Sequence, residues 1–217
     1  MAEEIFSATI CFVLVWFFIK PYQVTKEGRY LGLPLGFAFL GASYLLAAIS
    51  HSYSHFSVNA LSWLQLLMRP FAFAFLTFTY YFSKASSKKT RILWDITLSF
   101  LIVTLASAFA LFFVAPQFTF SDYRFLSICI RVFNIICLLY ISIHTIRSHL
   151  EARNSKTVYT PFGYVLLAIG QYSILIWAID CSDFAFYGGL VFRWIGLIIF
   201  LSIAYRTFYS SHRRSLG

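Results

Sequence analysis

Leu61-Ser62-Trp63-Leu64-Gln65-Leu66-Leu67-Met68-Arg69-Pro70-Phe71-Ala72-Phe73-Ala74-Phe75-Leu76 is an apolar run interrupted near its middle by one arginine and one proline. An arginine at the centre of a membrane helix costs roughly 2.5–3.5 kcal/mol on insertion scales, so such a residue normally faces a partner, a cavity or a ligand. Two further arginines sit in the same way, in Ile130-Arg131-Val132-Phe133 and in Phe192-Arg193-Trp194-Ile195, and the interval from Arg69 to Arg131 and from Arg131 to Arg193 is 62 residues in both cases. The even spacing points to a tandem repeat built on membrane helices.

The surrounding composition agrees with a membrane chain. Of 217 residues, 60% are apolar, 21% aromatic and only 12% charged, too apolar for a soluble domain of this length. A helix needs about 20 apolar residues to cross the hydrocarbon layer. Seven stretches qualify, near 4–20, 31–51, 58–83, 92–114, 123–146, 159–180 and 185–208. The intervening loops are short, so the whole chain, 1–217, is expected to form one transmembrane domain.

The first stretch is expected to be a retained helix and not a cleaved signal, because Glu3 and Glu4 stand where a signal carries positive charge and no small-residue cleavage pattern follows. Thirteen of the 17 basic residues fall in alternate loops and the tail: Lys20, Lys26 and Arg29; Lys84, Lys88, Lys89 and Arg91; Arg147, Arg153 and Lys156; Arg206, Arg213 and Arg214. Three of the other four are the intramembrane arginines, and the last is Arg124. The positive-inside rule then predicts the N-terminus outside and the C-terminus inside, in a plasma or cytoplasmic membrane. The net charge of +9 is accounted for by this topology and by attraction to anionic lipid, and no nucleic-acid partner is expected.

Sliding the chain by 62 residues superposes the three arginine helices. The even stretches echo one another more loosely: Gly36-Phe37-Ala38-Phe39-Leu40-Gly41 parallels Gly163-Tyr164-Val165-Leu166-Leu167-Ala168, with Tyr44 and Tyr172 beyond, while Thr97 to Ala110 has drifted furthest. The expected fold is an all-α seven-transmembrane bundle, one leading helix followed by three tandem parallel helical hairpins, with a pseudo-symmetry axis along the membrane normal. Counted from Val58, Tyr123 and Ala185, the arginines lie roughly 12–17 Å deep at 1.5 Å per residue.

Few acids are available to neutralise them. Asp95 belongs to one end of the fourth stretch, and Asp180 and Asp183 to the other end of the sixth and seventh. Asn134, Gln65, Gln171 and Tyr172 offer dipoles without charge. One reading is a partly hydrated pocket in which guanidinium forks bind a phosphate, carboxylate or lipid headgroup; its candidate residues are Arg69, Arg131, Arg193, Asn134, Gln171 and Tyr172. The other is that the arginines bond internal groups and hold the hairpins together in a non-catalytic subunit of a larger membrane complex.

Other chemistry finds little footing. His51 and His55 have i, i+4 spacing but lack a third ligand, which makes them a weak metal candidate. His144 lies at the opposite end of the membrane from that pair, which excludes a haem between them. Cys11, Cys129 and Cys137 fall within helices and Cys181 in a loop, so no disulfide framework follows. No nucleophile elbow, phosphate loop or dinucleotide fingerprint occurs, and neither an enzyme nor a cofactor is expected. Seven helices with an external N-terminus are shared with microbial rhodopsins and G-protein-coupled receptors. However, 185–208 contains no lysine to hold retinal, and the receptor signatures Asp-Arg-Tyr and Asn-Pro-x-x-Tyr are absent. The expected function is that of a receptor, sensor or small carrier for an anionic or amphiphilic ligand. Its expected partners are membrane lipids, that ligand, an anionic small molecule or lipid, and other membrane proteins.

Overall fold

The computed structural model of the protein describes residues 1–25, 27–52, 58–83, 88–114, 120–152 and 159–213. They form seven α-helices: α1 (Ala2–Thr25), α2 (Gly32–Ser52), α3 (Val58–Ser83), α4 (Lys88–Val114), α5 (Phe120–Ala152), α6 (Tyr159–Asp180) and α7 (Asp183–Arg213). A single 3-10 turn, Gly28–Leu31, leads into α2. All seven helices are long and apolar enough to cross a membrane. Helix is the form expected where no water is available, since it satisfies every backbone group within the segment. Hydroxyls follow the same logic: Thr9, Thr77, Thr104, Ser142 and Ser173 each donate to the carbonyl four residues earlier.

The apolar stretches locate α3 and α6 to the residue. They underestimate α1, α5 and α7, which extend into polar flanks because Lys, Arg, Gln and Glu favour helix as strongly as most apolar residues do. α3 continues through Pro70, and α1 through Pro21. Between α6 and α7 only two residues intervene. Cys181 adopts φ 53°, and its N–H donates to the Trp177 carbonyl at 2.9 Å, closing α6 in the left-handed manner usually given to glycine.

Helix neighbours follow the order α1, α2, α3, α5, α6, α7 and back to α1, a closed ring of six. α4 stands outside this ring, packed on α3 and the 3-10 turn. The hairpins α2–α3 and α6–α7 are therefore tightly paired, whereas α4 leans on α3 rather than on α5, its expected hairpin partner. α4 holds Thr97 to Ala110, the segment whose sequence resembles the other even stretches least.

Glycines set the closest approaches. A β-carbon on Gly196 would lie 3.0 Å from the Gly163 carbonyl oxygen, and one on Gly170 would lie 3.1 Å from the Gly189 carbonyl and 3.3 Å from the Arg193 nitrogen. Small residues of this kind let helix backbones meet in lipid, where dispersion and not the hydrophobic effect holds helices together. Toward the end where α2 and α6 begin, the core is apolar and aromatic: Phe37, Phe73, Leu76, Leu138, Ile141, Tyr164, Leu197 and Phe200 are buried. Toward the other end, where α1, α3, α5 and α7 begin, polar groups enter the interior.

Candidate functional site

Arg69, Arg131 and Arg193 lie eleven, eleven and ten residues after the first residues of α3, α5 and α7. Three helices running in one direction thus carry an arginine at matching height, about 16 Å along each axis. Phe6 packs on Trp194 and Phe17 on Phe208, so α1 runs parallel to α7.

The centre of the site is Tyr44 of α2, which is 1% exposed. The Arg193 guanidinium carbon stands 4.6 Å from its ring centroid, and that of Arg69 stands 5.6 Å from the same centroid. Each contact is worth on the order of 2 kcal/mol when desolvated, because the ring face is the negative part of its quadrupole. Arg69 also donates from Nε to Ser43 Oγ at 2.9 Å, so adjacent residues of α2 receive the two arginines. Both are buried.

Arg193 has a carboxylate partner that the sequence reading did not assign. Its Nη1 lies 3.2 Å from Glu4 Oε1 and 3.1 Å from Oε2, an ion pair between α7 and α1 in which Arg193 is buried and Glu4 partly so. Trp194 adds a second tie, donating from Nε1 to Ser7 Oγ at 3.1 Å. Glu4, Ser7, Ala8 and Cys11 recur at helical spacing along the face of α1 turned to the bundle. Small and polar residues at that interval after Glu4 are the signal by which the pairing could have been found. Glu4 stands at the very start of the first apolar stretch, and α1 begins two residues before it, at Ala2.

The ion pair occupies only one nitrogen of Arg193. Nε and Nη2, the paired edge that matches a carboxylate or phosphate, are buried and make no hydrogen bond to any described residue. Tyr44 Oη, both amide atoms of Asn134 and Gln171 Oε1 share that condition. Buried polar atoms left in this way cost roughly 1–3 kcal/mol each, so native interiors rarely keep them without a role.

The other candidate residues are distributed around this centre. Arg131 is half-buried and donates from Nε to Ser127 Oγ at 3.2 Å, a bond within α5. Asn134, one turn further along, is fully buried, and Gln171 of α6 is buried beside Gly170, where α6 meets the Arg193 backbone. Tyr172 is exposed on the outside of α6 and does not join the interior group. Gln65 is half-buried in α3, one turn before Arg69. Asp95, Asp180 and Asp183 are exposed. Arg124 reaches from α5 to the Ile179 carbonyl of α6 at 3.4 Å. His55 and the side chain of His51 lie outside the described residues. His144 packs against Tyr80 and Tyr140 toward the far end of the bundle.

These features define a multi-pass, all-α membrane protein with a buried cationic cluster around one tyrosine. No protein-family model, curated protein or solved structure matches the chain.

Proposed function

We propose that this is a non-enzymatic membrane receptor, sensor or small carrier that binds an anionic or amphiphilic ligand between α1, α2, α3 and α7. The carrying observation is the free edge of Arg193. Two guanidiniums, Arg69 and Arg193, converge on Tyr44 with one carboxylate, Glu4, against them, and the Nε and Nη2 hydrogens of Arg193 are buried without an acceptor among the described residues. A carboxylate or phosphate oxygen pair would satisfy that edge and balance the remaining charge. Arg131, Asn134 and Gln171 would complete the lining from α5 and α6. The N-terminus would face outside and the C-terminus inside; the basic loops support that orientation, and the common height of the three arginines supports descent from a hairpin repeat.

Thermal denaturation of the detergent-purified protein against a panel of phosphates, carboxylates and anionic lipids tests the reading. A ligand of the folded state adds about 2.7 kcal/mol at one hundred times its Kd. Arg193→Lys keeps the charge opposite Glu4 but removes the paired edge, and should fold normally while losing the shift. Glu4→Gln removes the internal competing anion and should enlarge it. A panel without any saturable shift, or one in which no member's shift is lost in Arg193→Lys, would sink the proposal.

A second reading, a non-catalytic subunit of a membrane complex, is favoured by α4. Ile92, Ile96, Phe100 and Val103 are exposed along a helix that packs chiefly on α3, leaving a face suited to another protein's helix. Stoichiometric co-purification of a membrane protein, lost on polar substitution at Phe100, would support it.

A further inference from the structure

At the end of the bundle opposite the start of α1, a groove of about 230 Å³ runs along the surface between the first turn of α6 and the second half of α7, lined by Tyr159, Ile199, Ser202, Ile203 and Arg206. Residues 199, 202, 203 and 206 follow helical spacing, so they form one stripe on α7. The stripe is graded. Ile199 lies deepest, Ser202 and Ile203 stand side by side about one turn nearer the end, and Arg206 and Tyr159 lie nearest the helix ends. Seven residues separate Ile199 from Arg206, about 10 Å of axial rise.

We infer that this groove binds one anionic phospholipid, with its phosphate against Arg206 and Tyr159 and an acyl chain running inward past Ile203 and Ser202 to Ile199. Three observations favour this occupant. First, the groove opens on the lipid-facing surface of a membrane helix pair whose inner seam is closed by Gly163, Gly196 and Phe200. Second, its polarity changes along the membrane normal in the same sense as a phospholipid does, with tyrosine and arginine at interfacial height. Third, the charge is complementary. Lys20, Arg147 and Arg206 belong to this end, and the adjoining loops are basic, which draws anionic headgroups to the surface. The site is remote from Tyr44 and does not depend on the arginine cluster there.

The test is the melting temperature of the purified full chain with phosphatidylglycerol, with phosphatidylcholine of the same acyl chains, and with glycerol phosphate. Phosphatidylglycerol should give a saturable rise of several degrees that phosphatidylcholine does not match and glycerol phosphate, lacking the chain, does not reproduce. Arg206→Gln should abolish the rise, and Ile199→Trp, which fills the groove, should reduce it. Arg206 is exposed, so the lipid-free melting temperature of its variant should equal that of the parent; should it fall, Ile199→Trp gives the reading. Arg69→Gln should keep the rise. Equal shifts from both lipids, or a rise retained in Arg206→Gln and Ile199→Trp, would overturn the assignment. A rise retained in Arg206→Gln but lost in Arg69→Gln would overturn it in favour of binding at the Tyr44 cluster.

Discussion

Glu4 and Arg193, 189 positions apart, meet through one guanidinium nitrogen at 3.1 and 3.2 Å and join the first helix to the last. This pair closes the ring at the polar end, where the apolar core gives out. Removing one member of a buried ion pair strands the other and costs about 3–5 kcal/mol. Glu4→Gln and Arg193→Gln should each lower the melting temperature markedly. The double variant should lose less than the sum, with a coupling of roughly 0.5–3 kcal/mol, as a double-mutant cycle by thermal denaturation would show.

Tyr44 separates ring from hydroxyl. Its ring faces two guanidiniums, while its Oη makes no hydrogen bond to a described residue. Tyr44→Phe should therefore keep or raise ligand-free stability, by up to about 1–3 kcal/mol. Tyr44→Leu, which removes the ring, should cost roughly 2–4 kcal/mol through two lost cation–π contacts. Chemical denaturation in mixed micelles would compare them.

Neighbouring glycines of α7 should respond with opposite sign. A β-carbon on Gly188 meets nothing within 4 Å, whereas one on Gly189 would fall 2.7 Å from Ile174 Cγ1 and 3.1 Å from the Gly170 carbonyl. Gly188→Ala should be neutral or stabilise by up to about 1 kcal/mol through helix propensity. Gly189→Ala should destabilise by about 1–3 kcal/mol, as overpacking does. Melting curves of the two single variants decide the matter, and equal effects would contradict the packing of α6 on α7.

Cys181 holds φ 53° at the α6–α7 turn, a conformation that costs an L-residue with a β-carbon roughly 1–2 kcal/mol. Cys181→Gly should raise stability by up to about 1 kcal/mol, and Cys181→Val should lower it. Resistance to a protease acting at the loop would report both.

Sequence alone determined the seven spans, because a run of apolar side chains about 20 long has no other stable place than a membrane helix. It determined the common height of Arg69, Arg131 and Arg193, because position along a helix is proportional to residue number. It could not determine which of them meet. Tyr44 and Tyr172 follow similar stretches of sequence, yet one is buried between two arginines and the other is exposed, since rotation about a helix axis is set by glycine seams with neighbours. Glu4 shows no partner in the sequence until α1 meets α7, and α4 reads as half of a hairpin with α5 until it packs on α3. Those outcomes belong to the tertiary structure, because a buried charge selects its partner by proximity across helices, and proximity between residues 189 apart is fixed only when the ring closes.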